Sequence, residues 1–258
     1  MNLQQQYLEA MGIESWQRRD RAVEAVEAVE SAVVDVTPVV TASVAPSIAD
    51  APVSAPSALT TQAAKDIVVD VASVDWDGLR DAVTRCTQCT LHNSSHQRLF
   101  GAGAQQARWM IISGPPSQAE VQQGVPFVDA AGQLLNAMLA AIGLKRHQAY
   151  LTNFLKCQLE ARATNIEEAT SCEPYLLRQI ALVQPSVILV MGAEAARHLL
   201  KSDATNIDAL RGPSHSLPGS AIPLVVTYHP ADLLRQPADK RKAWQDLQQA
   251  QAFVAQTD

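Results

Sequence analysis

A chain of 258 residues, 47% of them hydrophobic, is long enough for one good-sized domain plus accessory segments. No apolar run approaches the length that spans a bilayer and no charged-then-apolar leader opens the sequence, so a cytoplasmic location without a membrane partner is expected. The net charge of −6 is uneven: residues 1–79 carry 4 Lys and Arg against 12 Asp and Glu, while residues 80–258 carry 16 against 14. The acidity thus sits in the leader, and the body, at +2, is not repelled by nucleic acid, although so small a charge is no evidence of binding.

Residues 1–30 read as a helical segment. Leu3, Tyr7, Met11, Ile13 and Trp16 form an apolar stripe interrupted at Gly12, and residues 23–30 are a small acidic repeat of good helix formers. Nothing in this segment is large enough to bury the stripe, which needs a surface to pack on, either the main domain or another protein. Residues 31–73 turn to Val, Ala, Ser, Thr and Pro, with Pro38, Pro46, Pro52 and Pro56 breaking any helix, and are expected to form a flexible, disordered linker.

The globular domain is placed at 74–258. Apolar runs at 109–113, 149–152, 186–191 and 223–227 read as buried strands. They alternate with helical patterns at 77–83, 132–142, 166–183, 193–200 and 238–254. Strands apolar throughout, alternating with helices, predict a three-layer α/β/α domain around a central four-stranded parallel sheet. Working groups in such sheets lie just past the carboxyl ends of the strands. The first strand ends in Gly114-Pro115-Pro116-Ser117, the second at Asn153, and the fourth in Tyr228-His229-Pro230. A turn, an amide and an imidazole are therefore expected along one edge, and an amide can read a nucleobase edge because it donates and accepts side by side.

All four cysteines fall in one pattern, Cys86-x2-Cys89, then Cys157 and Cys172. In a reducing compartment they are better read as a four-sulfur metal site than as two disulfides, and spacing alone leaves zinc and an iron–sulfur cluster both open.

From residue 86 to 247 the sequence resembles the family 4, or iron–sulfur, uracil-DNA glycosylases. The resemblance is carried by Cys86-Thr87-Gln88-Cys89, Gly124-Val125-Pro126-Phe127-Val128, Ala131-Gly132-Gln133-Leu134-Leu135, Leu151-Thr152-Asn153-Phe154-Leu155-Lys156-Cys157, Arg211-Gly212 and His229-Pro230-Ala231-Asp232-Leu233-Leu234-Arg235. It implies a uracil-DNA glycosylase-like fold, DNA as partner and hydrolysis of an N-glycosidic bond. It also implies a structural 4Fe-4S cluster on Cys86, Cys89, Cys157 and Cys172. Phe127 would stack on a flipped-out uracil, Asn153 would read its edge, and His229 would stabilise charge on the departing base. The His229–Arg235 loop would enter the minor groove, with Leu234 as wedge and Arg235 beside it.

The first motif departs from the family. Gly114 stands where a water-positioning acid is usual, Val121 where a second acid is usual, and Asp129 where a glycine is usual. Excision limited at Gly114 is therefore expected, with Glu120 a poorly placed substitute. Separately, Leu8-Glu9-Ala10-Met11-Gly12-Ile13-Glu14-Ser15-Trp16-Gln17-Arg18-Arg19 resembles the N-terminal peptide of the bacterial DNA polymerase III psi subunit. That resemblance implies clamp-loader binding through residues 3–21 with Trp16 as anchor, and an alternative function as a non-catalytic replication adaptor.

Overall fold

The computed structural model describes residues 71–94, 97–159 and 162–256. The expected N-terminal helix with Trp16, and nearly all of the expected linker, lie outside the described residues. Four strands make the heart of the sheet: β2 (Trp109–Ser113), β3 (Ala149–Asn153), β4 (Val187–Met191) and β6 (Pro223–Thr227), parallel in the order β3-β2-β4-β6. Two short antiparallel strands extend it at the edges, β1 (Ala102–Gly103) against β3 and β5 (His215–Ser216) against β6. The sheet is thus mixed and six-stranded. The four-strand expectation covered its core and missed two-residue edges, which are too short to carry a period.

The helices are α1 (Trp76–Thr84), α2 (Leu91–Ser94), α3 (Gln118–Gln123), α4 (Asp129–Ala141), α5 (Ile166–Val183), α6 (Ala193–Leu200), α7 (Pro230–Arg235) and α8 (Lys240–Ala255). Their starts follow local chemistry. Asp75 caps α1 by accepting from Gly78 N at 2.9 Å, while Ser117 with Glu120 and Asn165 with Glu168 form capping boxes on α3 and α5.

Alternation along the strands divides the core in two. Met110, Ile112, Ile188, Val190, Leu224 and Val226 face one layer, packed with α1, α5 and α6. Ile111, Leu151, Leu189, Met191 and Val225 face the other, packed with α4, α7 and α8. Because both faces are covered, all five residues of β2, β3 and β4 are buried. The chain leaves β2 toward α4 on one face and leaves both of its neighbours, β3 and β4, toward α5 and α6 on the other. Crevices therefore open beside the carboxyl end of β2, where ligands bind in open α/β sheets.

Candidate functional site

In the sheet register Ser113 lies beside Asn153 and Met191, and Met191 lies beside Thr227. The residues that follow, Gly114, Gly192 and Tyr228-His229, are thereby gathered along one edge. Asn153 is fully buried, and its Nδ2 donates to Ser113 Oγ and to the Gly114 carbonyl, each at 2.9 Å. A carbonyl can only accept, so this pair fixes which end of the amide is nitrogen. It leaves Asn153 Oδ1 buried without a hydrogen-bond partner. Such orphans are uncommon in folded proteins and point to a missing donor.

Phe127 precedes α4. Its backbone has φ +54°, a region bulky residues rarely enter, and Asp129 follows at φ +56°. Two neighbours hold this turn. Glu120 Oε1 accepts from Phe127 N at 2.5 Å, and a Cβ at Gly132 would stand 2.1 Å from the Phe127 carbonyl oxygen, so only glycine allows that approach. Arg146 adds hydrogen bonds to the Pro126 carbonyl and, at 3.2 Å, to Asn136 Oδ1. The Phe127 ring stacks on the His229 imidazole, with centroids 5.5 Å apart and planes 18° from parallel, in the range of offset stacking.

His229 caps α7. Its Nδ1 accepts from Ala231 N at 3.2 Å, which places the proton of the neutral ring on Nε2. Burial lowers the His229 pKa below the usual histidine value, with Asp232 and Glu120 pulling the other way, so at neutral pH the ring is an uncharged donor. The expected 229–235 loop is in fact largely this helix, because Pro230 is preorganised for the first helical position. On it Leu233 is buried in the core while Leu234 is 44% exposed, and Arg235 is an exposed side chain paired to Asp232.

The four cysteines converge elsewhere, on the α5 side of the sheet. Cys86, Cys89, Cys157 and Cys172 line one cavity with Arg98, Lys156 and Tyr175, and none is in a disulfide. Among the described residues no group of three or more His, Cys, Asp or Glu side chains is arranged to hold a metal ion. Two cations line the cavity. Arg98 donates to the Cys86 carbonyl at 2.9 Å while its Nε is buried and unpartnered. Lys156 is fully enclosed, and its Nζ donates to Thr152 Oγ1, the Asn153 carbonyl and Gln179 Oε1 at 2.6–2.8 Å, all uncharged acceptors. Burial pushes Lys156 down to about 7 and Cys172 up to about 12.

A sequence profile described as "Uracil DNA glycosylase superfamily" matches residues 100–248. This chain belongs to that superfamily. Curated relatives named type-4 uracil-DNA glycosylase match most of their own length. The Pyrobaculum aerophilum protein is 33% identical over 180 residues, covering 67% of this chain and 92% of the relative. The Archaeoglobus fulgidus protein is 34% identical over 167 residues, covering 62% and 84%. The Thermotoga maritima protein is 32% identical over 178 residues, covering 67% and 92%.

Within this uracil-DNA glycosylase superfamily domain, Phe127 stacks on His229, Asn153 closes a strand along the same sheet edge, and the four cysteines line a separate cavity. Glu120 is not free to act as a base. It is buried, and its carboxylate is consumed by Phe127 N and, at 2.7 Å, by Ser117 N. Val121 is core. Sequence reasoning missed Glu194, which lies 80 positions beyond Gly114 and follows the end of β4. Glu194 Oε1 accepts from Thr164 N at 3.0 Å and Thr164 Oγ1 at 2.5 Å, and Oε2 lies 3.9 Å from where a Cβ on Gly114 would stand. The available signal was an acid three residues past a buried strand. Among the described residues no helix is long and apolar enough to cross a membrane.

Proposed function

We propose that this protein is a uracil-DNA glycosylase, hydrolysing the N-glycosidic bond of a uracil flipped out of DNA. The observation that carries this reading is the orphaned Oδ1 of Asn153. The amide nitrogen is already committed, so the site can only accept at that point. Uracil presents an N–H at ring position 3, whereas cytosine presents a lone pair there, so the geometry favours uracil. A base stacked on Phe127 would lie parallel to the imidazole and present an edge to it. His229 Nε2–H would then donate to the base oxygen as electrons move onto the leaving base, with no proton transfer required. Leu234, exposed on α7, would fill the gap in the duplex, and Arg235 lies beside it.

We also assign Cys86, Cys89, Cys157 and Cys172 to a 4Fe-4S cluster. The unpartnered Arg98 Nε offers a donor to a sulfide acceptor, and the buried Lys156, its own donors already used, fits a negative charge nearby. A cluster held there would be structural, tying the segment after α1, the turn after β3 and α5 together. Trp16 as a clamp-loader anchor rests on residues alone, and Trp16→Ala with a binding assay tests it.

The experiment is single-turnover cleavage of uracil-containing and cytosine-containing oligonucleotides, comparing wild type with His229→Ala and Asn153→Ala. Wild-type excision confined to uracil, lost in both variants while each remains folded at the assay temperature, supports the reading. Excision unaffected by either variant overturns the assigned site.

A further inference from the structure

We propose that Glu194 is the water-activating carboxylate of this site, supplied from the end of β4 in place of the acid that Gly114 lacks. The inference rests on the glycosylase reading above and adds to it a residue outside the recognised motifs. Three features of the fold converge on it. β4 is the neighbour of β2, in register from Ser113 to Met191, so the turn after β4 flanks Gly114. That turn also touches the other side of the site, since a Cβ at Gly192 would stand 3.5 Å from His229 Cβ. Finally, among the described residues, and apart from Gly114's own chain neighbours, Glu194 Oε2 is the one atom within 4 Å of the position a side chain at Gly114 would start from.

The carboxylate is also held for the task. Thr164 fixes Oε1 with its backbone N–H and its hydroxyl, at 3.0 and 2.5 Å. Oε2 is the oxygen turned toward Gly114. A carboxylate anchored by one oxygen and presenting the other is a preorganised acceptor for a proton of water. In the reaction water oxygen bonds to the sugar C1′ as the C1′–N1 bond breaks. The bonding pair leaves with the base as the uracil anion, and one water proton passes to Glu194. The same negative charge faces the oxocarbenium-like sugar as positive charge develops on it.

Glu194→Gln is the test, because glutamine keeps an acceptor oxygen for Thr164 and replaces the charged oxygen that faces Gly114 with a neutral NH2 donor. Uracil excision should fall by about 10²–10⁴-fold, with DNA affinity and melting temperature held. Gly114→Glu should restore much of the rate in the Glu194→Gln background and give no gain in the wild type. A second readout needs no turnover. DNA carrying a cationic pyrrolidine abasic analogue should bind wild type at least about tenfold tighter than DNA carrying a neutral tetrahydrofuran analogue. Glu194→Gln should erase that preference. If the preference survives, or Glu194→Gln excises at the wild-type rate, or Gly114→Glu alone accelerates the wild type, the assignment is wrong. A protein that excises no uracil yet loses the preference on Glu194→Gln would refute the activity while upholding the carboxylate's place in the site.

Discussion

Glu120→Ala isolates the device that holds Phe127 in place. The Glu120 carboxylate accepts from two backbone donors, Ser117 N at 2.7 Å and Phe127 N at 2.5 Å, and the residue is only 8% exposed. Removing it leaves both donors without their acceptor. A buried donor so stranded costs about 1–3 kcal/mol. Ser117, at the start of α3, can regain water, whereas Phe127, at 3% exposure, cannot. The expected loss is about 1–3 kcal/mol, which for a domain of this size lowers the melting temperature by roughly 2–12 °C. Phe127 would also be released from its positive-φ conformation, so excision should fall by more than the loss of folded protein explains. Thermal melts and single-turnover excision below the new transition measure the two effects separately. Glu120→Gln should sit between, since its amide can satisfy one donor and must oppose the other. An Ala variant with unchanged melting temperature and normal excision would refute the idea that this carboxylate sets the Phe127 turn.

With the proton on Nε2 and the pKa lowered by burial, His229 should work as a neutral donor, so excision stays level from pH 8 to about 6.5 and falls on the acid side; a rate that climbs through that window would make the imidazolium the working form. The same group sets a stability trend. The unfolded chain takes up the proton first, near pH 6.5, so His229 destabilises the fold as pH drops from there through its depressed folded value. His229→Ala should flatten that part of a urea-midpoint against pH curve. Cys172→Ser should strip iron and acid-labile sulfide from the anaerobically purified protein along with its visible charge-transfer absorption; stoichiometric zinc with no iron in wild type would overturn the cluster assignment. Arg211→Met leaves Asp246, 2% exposed and bonded to Arg211 at 2.8 Å, as an unpaired buried acid, and should cost about 3–5 kcal/mol in urea unfolding. Adding Asp246→Asn should recover part of it, and no recovery would show that packing of the Arg211 stem is what matters.

The central strands were legible as continuous apolar runs and the long helices by their periodic burial. The helix at 166–183 and the strands at 109–113 and 223–227 fall where the apolar pattern puts them. What escaped was structure set by hydrogen bonds rather than by pattern. α3 begins at a capping box and α7 at a proline after a capping histidine, and each is six residues long. A helix that short has too few turns to show a stripe. The site divides the same way. Asn153 and His229 were legible because each closes or directly follows an apolar run that marks a strand end. Glu194 was not, because its partner Gly114 lies on another strand and is identified by empty space, which no sequence motif records.

The two sites are joined through one short stretch. Asn153 ends β3, Lys156 returns its ammonium to the Asn153 carbonyl at 2.8 Å, and Cys157 follows at once in the cysteine cavity. The same ammonium reaches Gln179 on α5 at 2.6 Å, and α5 carries Cys172 about two turns earlier on the same face. Gln179 in turn donates to the Phe100 carbonyl at 2.7 Å and to Tyr150 OH at 3.1 Å, so the network is anchored in the sheet as well. An enclosed cation among neutral acceptors is costly by itself, and a cluster's negative charge beside it offsets that cost. On this account the cluster would act on base recognition without touching the base. By holding Lys156 it would hold the carbonyl of Asn153, the residue proposed to read uracil, and a loss of iron should loosen Asn153 before it unfolds the sheet.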